Sequence, residues 1–202
     1  SDVCSSDLRS GNGAGLVTST STPAQGSQLA CGSTCSVPFP QGASVTLTAT
    51  ASIGSTVTGW SGGGCSGTGS TCTVSVGAAT SVTVTFTLDR HALTVTRSGN
   101  GSGTVSASPG PLCGLECGTL YDYGTSVVLT ATPTTGSDFT GWTGSGCSGT
   151  STCTVVVTAP SSVDAAFTLT RHVLSVVATG SGSGTITSGD GLIGCGTVCA
   201  AT

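Results

Sequence analysis

The chain repeats itself. Residues 42–68 align without a gap with residues 124–150 at an offset of 82, carrying GASVTLTAT against GTSVVLTAT and Thr58-Gly59-Trp60 against Thr140-Gly141-Trp142. Gly64-Cys65-Ser66-Gly67 then matches Gly146-Cys147-Ser148-Gly149. Gly69 is one extra residue in the first copy, after which the offset is 81 and Phe86, Leu88, Arg90 and His91 match Phe167, Leu169, Arg171 and His172. A third copy opens at His172 and runs to Gly194-Cys195-Gly196-Thr197-Val198-Cys199 near the last residue. A period of this length makes each copy one small folding unit that meets only its neighbours in the series. The expected units are residues 9–90 (without a first strand), 91–171 (complete) and 172–202 (about a third), a chain cut at both ends.

Residues 1–8 (SDVCSSDL) stand outside this scheme. They back-translate as TCA GAC GTG TGC TCT TCC GAT CT, a common sequencing-adapter oligonucleotide. Arg9-Ser10-Gly11-Asn12-Gly13 matches Arg97-Ser98-Gly99-Asn100-Gly101, while residues 3–8 do not match residues 91–96. Similarity begins where the adapter-like stretch ends, so residues 1–8, Cys4 included, are set aside from the fold.

Within a copy, apolar and Thr residues alternate. Val45, Leu47 and Ala49 alternate with Thr46, Thr48 and Thr50; Val82, Val84, Phe86 and Leu88 with Thr83, Thr85 and Thr87; Leu93 and Val95 with Thr94 and Thr96. Period two with β-branched residues predicts half-buried strands, apolar face inward. Gly and Ser clusters at 98–103, 136–137 and 144–149 separate the runs as turns. No window shows a sustained 3.6-residue pattern. The expected fold is all-β, with five or six short strands per copy.

So small a unit buries a modest core. The composition deepens the shortage: 38 Thr, 32 Ser and 33 Gly fill over half of 202 residues. The cysteines answer it. Setting Cys4 aside, they fall into five close pairs: Cys31/Cys35, Cys65/Cys72, Cys113/Cys117, Cys147/Cys153 and Cys195/Cys199. Close pairing points to disulfides and an oxidising compartment, outside the cytoplasm. Pairing within Cys31…Cys35 or Cys113…Cys117 needs the chain to fold back, which the following Gly32 or Gly114 permits. Each short loop would stabilise by roughly 2 kcal/mol. Cross-pairing between the two clusters of a copy would close a longer loop, and energetics leave it open; the isolated Cys195/Cys199 pair of the third copy favours local pairing. Zinc is the weaker reading, because the second pair brackets six residues in one copy and five in the other. Asp89, Asp122, Asp138, Asp164 and Asp190 sit in separate segments and recur at no matched position, so they read as solubilising charges and not as a calcium loop. No metal and no cofactor is expected.

The motifs, taken in order, resemble a known family. Leu93 to Val95, Gly101 to Val105, Cys113 to Cys117, Gly124 to Pro133, Phe139 to Trp142, Cys147 to Thr150 and Val163 to Phe167 are similar to bacterial surface repeats related to the divergent internalin-type B repeat. The resemblance runs from residue 9 onward. It implies a compact β-rich, β-grasp-like module repeated in tandem in large secreted or cell-surface proteins, and it implies no catalysis. The first copy departs from the pattern with Ala51 for Pro133, Val57 for Phe139, and six extra residues between Gly15 and Cys31.

The remaining conspicuous residues read as structural. Trp60 and Trp142, one per copy, could stack on a sugar, yet a unit with so few large apolar side chains needs them inside. His91 and His172 recur at the joins between copies with no nucleophile or carboxylate recurring beside them, as spacers and not as catalysts. The strings 99–103 and 180–184 lack the following helix that a phosphate loop requires and read as hairpin turns. Tyr121 and Tyr123 stand where the first copy has Val37 and Phe39, and alternation places both on one face as a candidate recognition patch. Thr-x-Thr runs such as 83–87 suggest ice binding, which an 80-residue period does not support. Four Arg and no Lys exclude a nucleic-acid binder, and no apolar run is long enough to span a membrane. The expected function is a non-catalytic structural or interaction repeat from a bacterial stalk or adhesin. Its partners would be an extracellular protein or glycan and its own neighbouring repeats. The alternative is a glycan-binding accessory module of a secreted hydrolase. Leu88 and Leu93, like Leu169 and Leu174, are only five residues apart across a join, which predicts a semi-rigid rod.

Overall fold

The structure is a computed structural model that describes residues 9–24, 29–31, 36–110, 112–113, 116–189, 193–195 and 198–201. In the first copy the strands are β1 (Arg9–Ser10), β2 (Gly15–Thr22), β3 (Ala30–Cys31), β4 (Ala43–Ala51), β5 (Ser55–Ser61), β6 (Thr71–Val76) and β7 (Thr83–Leu88). In the second they are β8 (Arg90–Ser98), β9 (Gly103–Ser108), β10 (Leu112–Cys113), β11 (Glu116–Asp122), β12 (Thr125–Pro133), β13 (Ser137–Thr143), β14 (Cys153–Val157) and β15 (Ser161–Leu169). The third begins with β16 (Leu174–Val177), β17 (Ile186–Thr187), β18 (Gly194–Cys195) and β19 (Val198–Ala201). Among the described residues there is no helix.

Each of the first two copies folds into two sheets. One is antiparallel, in the order β3-β2-β4-β6 or β10-β9-β12-β14; the other is mixed, β1-β7-β5 or β11-β8-β15-β13. In the mixed sheet the first and last strands of the copy run parallel at matched positions: Arg9 and Ser10 oppose Val84 and Thr85, as Arg97 and Ser98 oppose Ala165 and Ala166. This parallel pair, flanked on both sides by antiparallel neighbours in the second copy, is the grasp-like part of the module. The antiparallel sheet covers it, and period two decides what lies between. Along β4, Ala43, Val45, Leu47 and Ala49 point inward while the threonines face out. Val105, Val127, Leu129 and Val155 from one sheet meet Leu93, Val95, Val163 and Phe167 from the other in the second core. Burial of each such side chain contributes about 1.5–3 kcal/mol.

The two cores are separate clusters, one per copy. In the first, the residues extra to it lengthen β2 and bring Leu29 inside, with Leu29 N donating to Ser19 Oγ at 2.9 Å and Ser19 N to Leu29 O at 3.1 Å. The third copy starts in the register of the second: Leu174 opposes Ala201 as Leu93 opposes Thr119, and Ile186 opposes Cys195 as Val105 opposes Cys113. Leu174 is 58% exposed and Leu93 is 2% exposed.

One departure from regular alternation matters for the core. Phe139 and Trp142 are three residues apart, which in an unbroken strand puts them on opposite faces. The pairing of β13 with β15 shifts between Phe139 and Gly141, leaving Thr140 as an extra residue. That bulge turns both rings to the same side, where they meet edge to face with centroids 4.9 Å apart. The same shift occurs between Val57 and Gly59 in β5.

Candidate functional site

Trp60 and Trp142 are 5% and 2% exposed, so neither offers a face to a sugar ring. Each instead anchors the cysteine loop beside it. Trp60 N donates to Gly67 O at 2.9 Å and its Nε1 to Gly69 O at 2.6 Å; Trp142 N donates to Gly149 O at 2.9 Å and its Nε1 to Ser151 O at 2.7 Å. The indole brings its apolar body into the core and spends its one donor on the loop. Disulfides close these loops: Cys65–Cys72 and Cys147–Cys153 have Cα–Cα distances of 5.8 and 5.6 Å, within the range a disulfide requires. These clusters pair locally. Cys35, the side chains of Cys31, Cys113, Cys117, Cys195 and Cys199, and residues 1–8 lie outside the described residues.

In the first two copies the glycine-rich strings 11–15 and 99–103 form backbone cradles on the last strand. Asn12 Oδ1 accepts from Leu88 N and Asn100 Oδ1 from Leu169 N, both at 3.1 Å. A Cβ on Gly103 would lie 2.1 Å from the Phe167 ring, and one on Gly15 would lie 2.2 Å from Phe86. The Gly-x-Gly motif is there so that an aromatic ring can pack against bare backbone. A small apolar cavity of about 30 Å³ lies in the first core beside Leu29, Phe39, Leu47 and Val74. Thr80 also lines it, but its hydroxyl donates to Ala78 O at 2.8 Å, and a cavity this small and apolar is not built to orient a ligand.

The carboxylates do more than solubilise. Thr56 Oγ1 donates to Asp89 Oδ1 at 2.5 Å, Arg90 Nε pairs with Asp122 Oδ1 at 3.2 Å, Thr170 Oγ1 donates to Asp138 Oδ2 at 3.0 Å, and Thr96 Oγ1 donates to Asp164 Oδ1 at 2.7 Å. Two of these are one bond with its ends exchanged. Asp89 and Thr170 occupy the same position after the last strand, and Thr56 and Asp138 the same position in β5 and β13. Alignment of like with like misses such a swap, which is why no carboxylate recurs in the sequence. The backbone bond beside it does recur: Asp89 N donates to Gly54 O at 2.9 Å, and Thr170 N to Gly136 O at 3.0 Å. Among the described residues no three His, Cys, Asp or Glu side chains converge on one point.

The two tyrosines part company. Tyr121 is 8% exposed, inside the second core, and Phe39, 82 residues earlier, fills the same place in the first. The counterpart of Tyr123 is therefore the exposed Gln41, and the pairing with Val37 and Phe39 is two residues out of step. Tyr123 is half-buried at the join between copies. Its N–H donates to Asp89 O at 2.8 Å, its ring lies over Gly54, and His91 meets it edge-on with centroids 6.3 Å apart. The two rings do not form an exposed aromatic patch, because Tyr121, on β11, lies in the core and Tyr123, in the turn that follows β11, lies at the join.

Two-sheet β modules in tandem, each with an indole-anchored disulfide loop, define a β-repeat protein. The divergent InlB B-repeat domain family matches residues 17–90 and again residues 92–171, and the chain belongs to that bacterial repeat family. Among solved structures, the Bacillus anthracis TIE protein is similar in fold, with a TM-score of 0.60 at 9% identity over 99% of this chain. The chain spans 43% of the length of that structure. No curated protein matches it in sequence.

Proposed function

We propose that the chain is a non-catalytic, extracellular spacer: a stretch of a bacterial stalk or adhesin that holds a distal binding domain away from the cell, with a host protein or glycan as the eventual partner. The observation that carries this reading is the join. Asp89 alone separates β7 from β8, and its N–H is bonded to the first copy while its C=O is bonded to the second. A one-residue link bonded on both sides leaves little rotational freedom, whereas a Gly- or Ser-rich tether would leave much. Local disulfides fit an oxidising exterior. The buried indoles take away the feature on which the accessory glycan-binding alternative rested. Small-angle scattering on proteins of two, three and four complete copies tests the reading. The maximum dimension should rise nearly linearly with copy number; a compact or broadly distributed envelope refutes it.

A further inference from the structure

We infer that Tyr123 is an angular latch: its ring, seated on the bare backbone of Gly54 in the preceding copy, sets the angle between the first two repeats. This deepens the spacer reading and rests on it. Gly54 occupies the turn between β4 and β5 with φ of 73°, in the left-handed region that favours glycine. A Cβ there would lie 2.1 Å from Tyr123 Cδ1 and 2.2 Å from its Cγ, so ring and turn are in direct contact with no side chain between them. The ring also meets, edge to face, His91, which β8 carries in the second copy. A flat, stiff side chain thus lies between a turn of one repeat and a strand of the next.

The Asp89 bonds alone would hinge. Asp89 N to Gly54 O and Tyr123 N to Asp89 O lie along one short stretch of backbone, and a single stretch leaves rotation about itself. The Tyr123 ring is offset from that line, and contact at a second point removes the rotation. Tyr123 belongs to neither hydrophobic core, unlike Tyr121 two residues before it. Its aromatic ring is therefore explained by what it touches across the join.

Residual dipolar couplings of backbone amides, measured on the whole chain in a dilute alignment medium, test the latch. In the parent protein, couplings from residues 43–88 and from residues 90–169 should fit one common alignment tensor. Tyr123→Ala should keep a dispersed amide spectrum in both repeats yet lose the common tensor, each repeat then fitting its own. Tyr123→Phe, which keeps the ring, should retain it, and Gly54→Ala, which pushes the ring away, should lose it. A Tyr123→Ala protein that still fits the parent tensor overturns the latch and leaves the spacer standing. Loss of the second repeat's dispersed spectrum in that variant also overturns it, since Tyr123 would then support a core. Separate tensors in the parent protein overturn latch and spacer together.

Discussion

The indole of Trp142 joins three things: the second core, the bulge in β13 and the disulfide loop. Truncation to Ala would open a cavity between Phe139 and the loop and leave the Ser151 carbonyl without its donor. Substitutions of this kind cost about 3–5 kcal/mol, and denaturant titration of Trp142→Ala should show a loss of that size. A variant that folds with parent stability would mean that the side chain is dispensable to the core. That Trp142 is a core residue was legible from scarcity, since a chain with two Trp and four Phe has few alternatives. How it reaches the core was not. Phe139 and Trp142 are out of phase by period two, and only pairing with β15 shows that Thr140 is the residue squeezed out.

Among elements, the disulfide loops and the joins are held by specific bonds that can be removed one at a time. The Cys147–Cys153 loop is tied at three points: the disulfide, the Trp142 N–H and the Trp142 Nε1. Removing only the covalent tie, in Cys147→Ala/Cys153→Ala, should cost about 2 kcal/mol by loop entropy and leave the fold intact, read as a shift in the unfolding midpoint. A variant that cannot fold would show that the disulfide is needed to place the indole. The exchanged bond at the join makes a separate prediction. Thr56→Asp sets two carboxylates against each other beside Gly54 and should destabilise by about 1 kcal/mol. Adding Asp89→Thr recreates the arrangement of Asp138 and Thr170 and should recover most of the loss. No recovery in that double-mutant cycle would mean that the two joins are not equivalent.

For the whole molecule, the separation of the cores is the governing fact. Two clusters that share no buried residue should unfold as neighbours in a series and not as one unit. In Trp142→Ala, the amide signals of the second repeat should collapse at a denaturant concentration where those of the first, around Trp60, persist; simultaneous loss would show strong coupling through the join. The sequence by itself determined the period, the all-β character and the inward and outward faces of the strands, because these depend on spacing and alternation along one stretch of chain; the local pairing of Cys65 with Cys72 and Cys147 with Cys153, which spacing favoured and left open, was decided by the structure. Only the tertiary structure decided which strands share a sheet, that first and last strands run parallel, that Tyr121 is core while Tyr123 serves the join, and that Asp89 and Thr170 make the same bond from opposite ends. Each of those depends on residues 30 to 80 positions apart being brought together. Local pattern specifies what a strand can bury, but a contact between distant strands is chosen by closing the whole module.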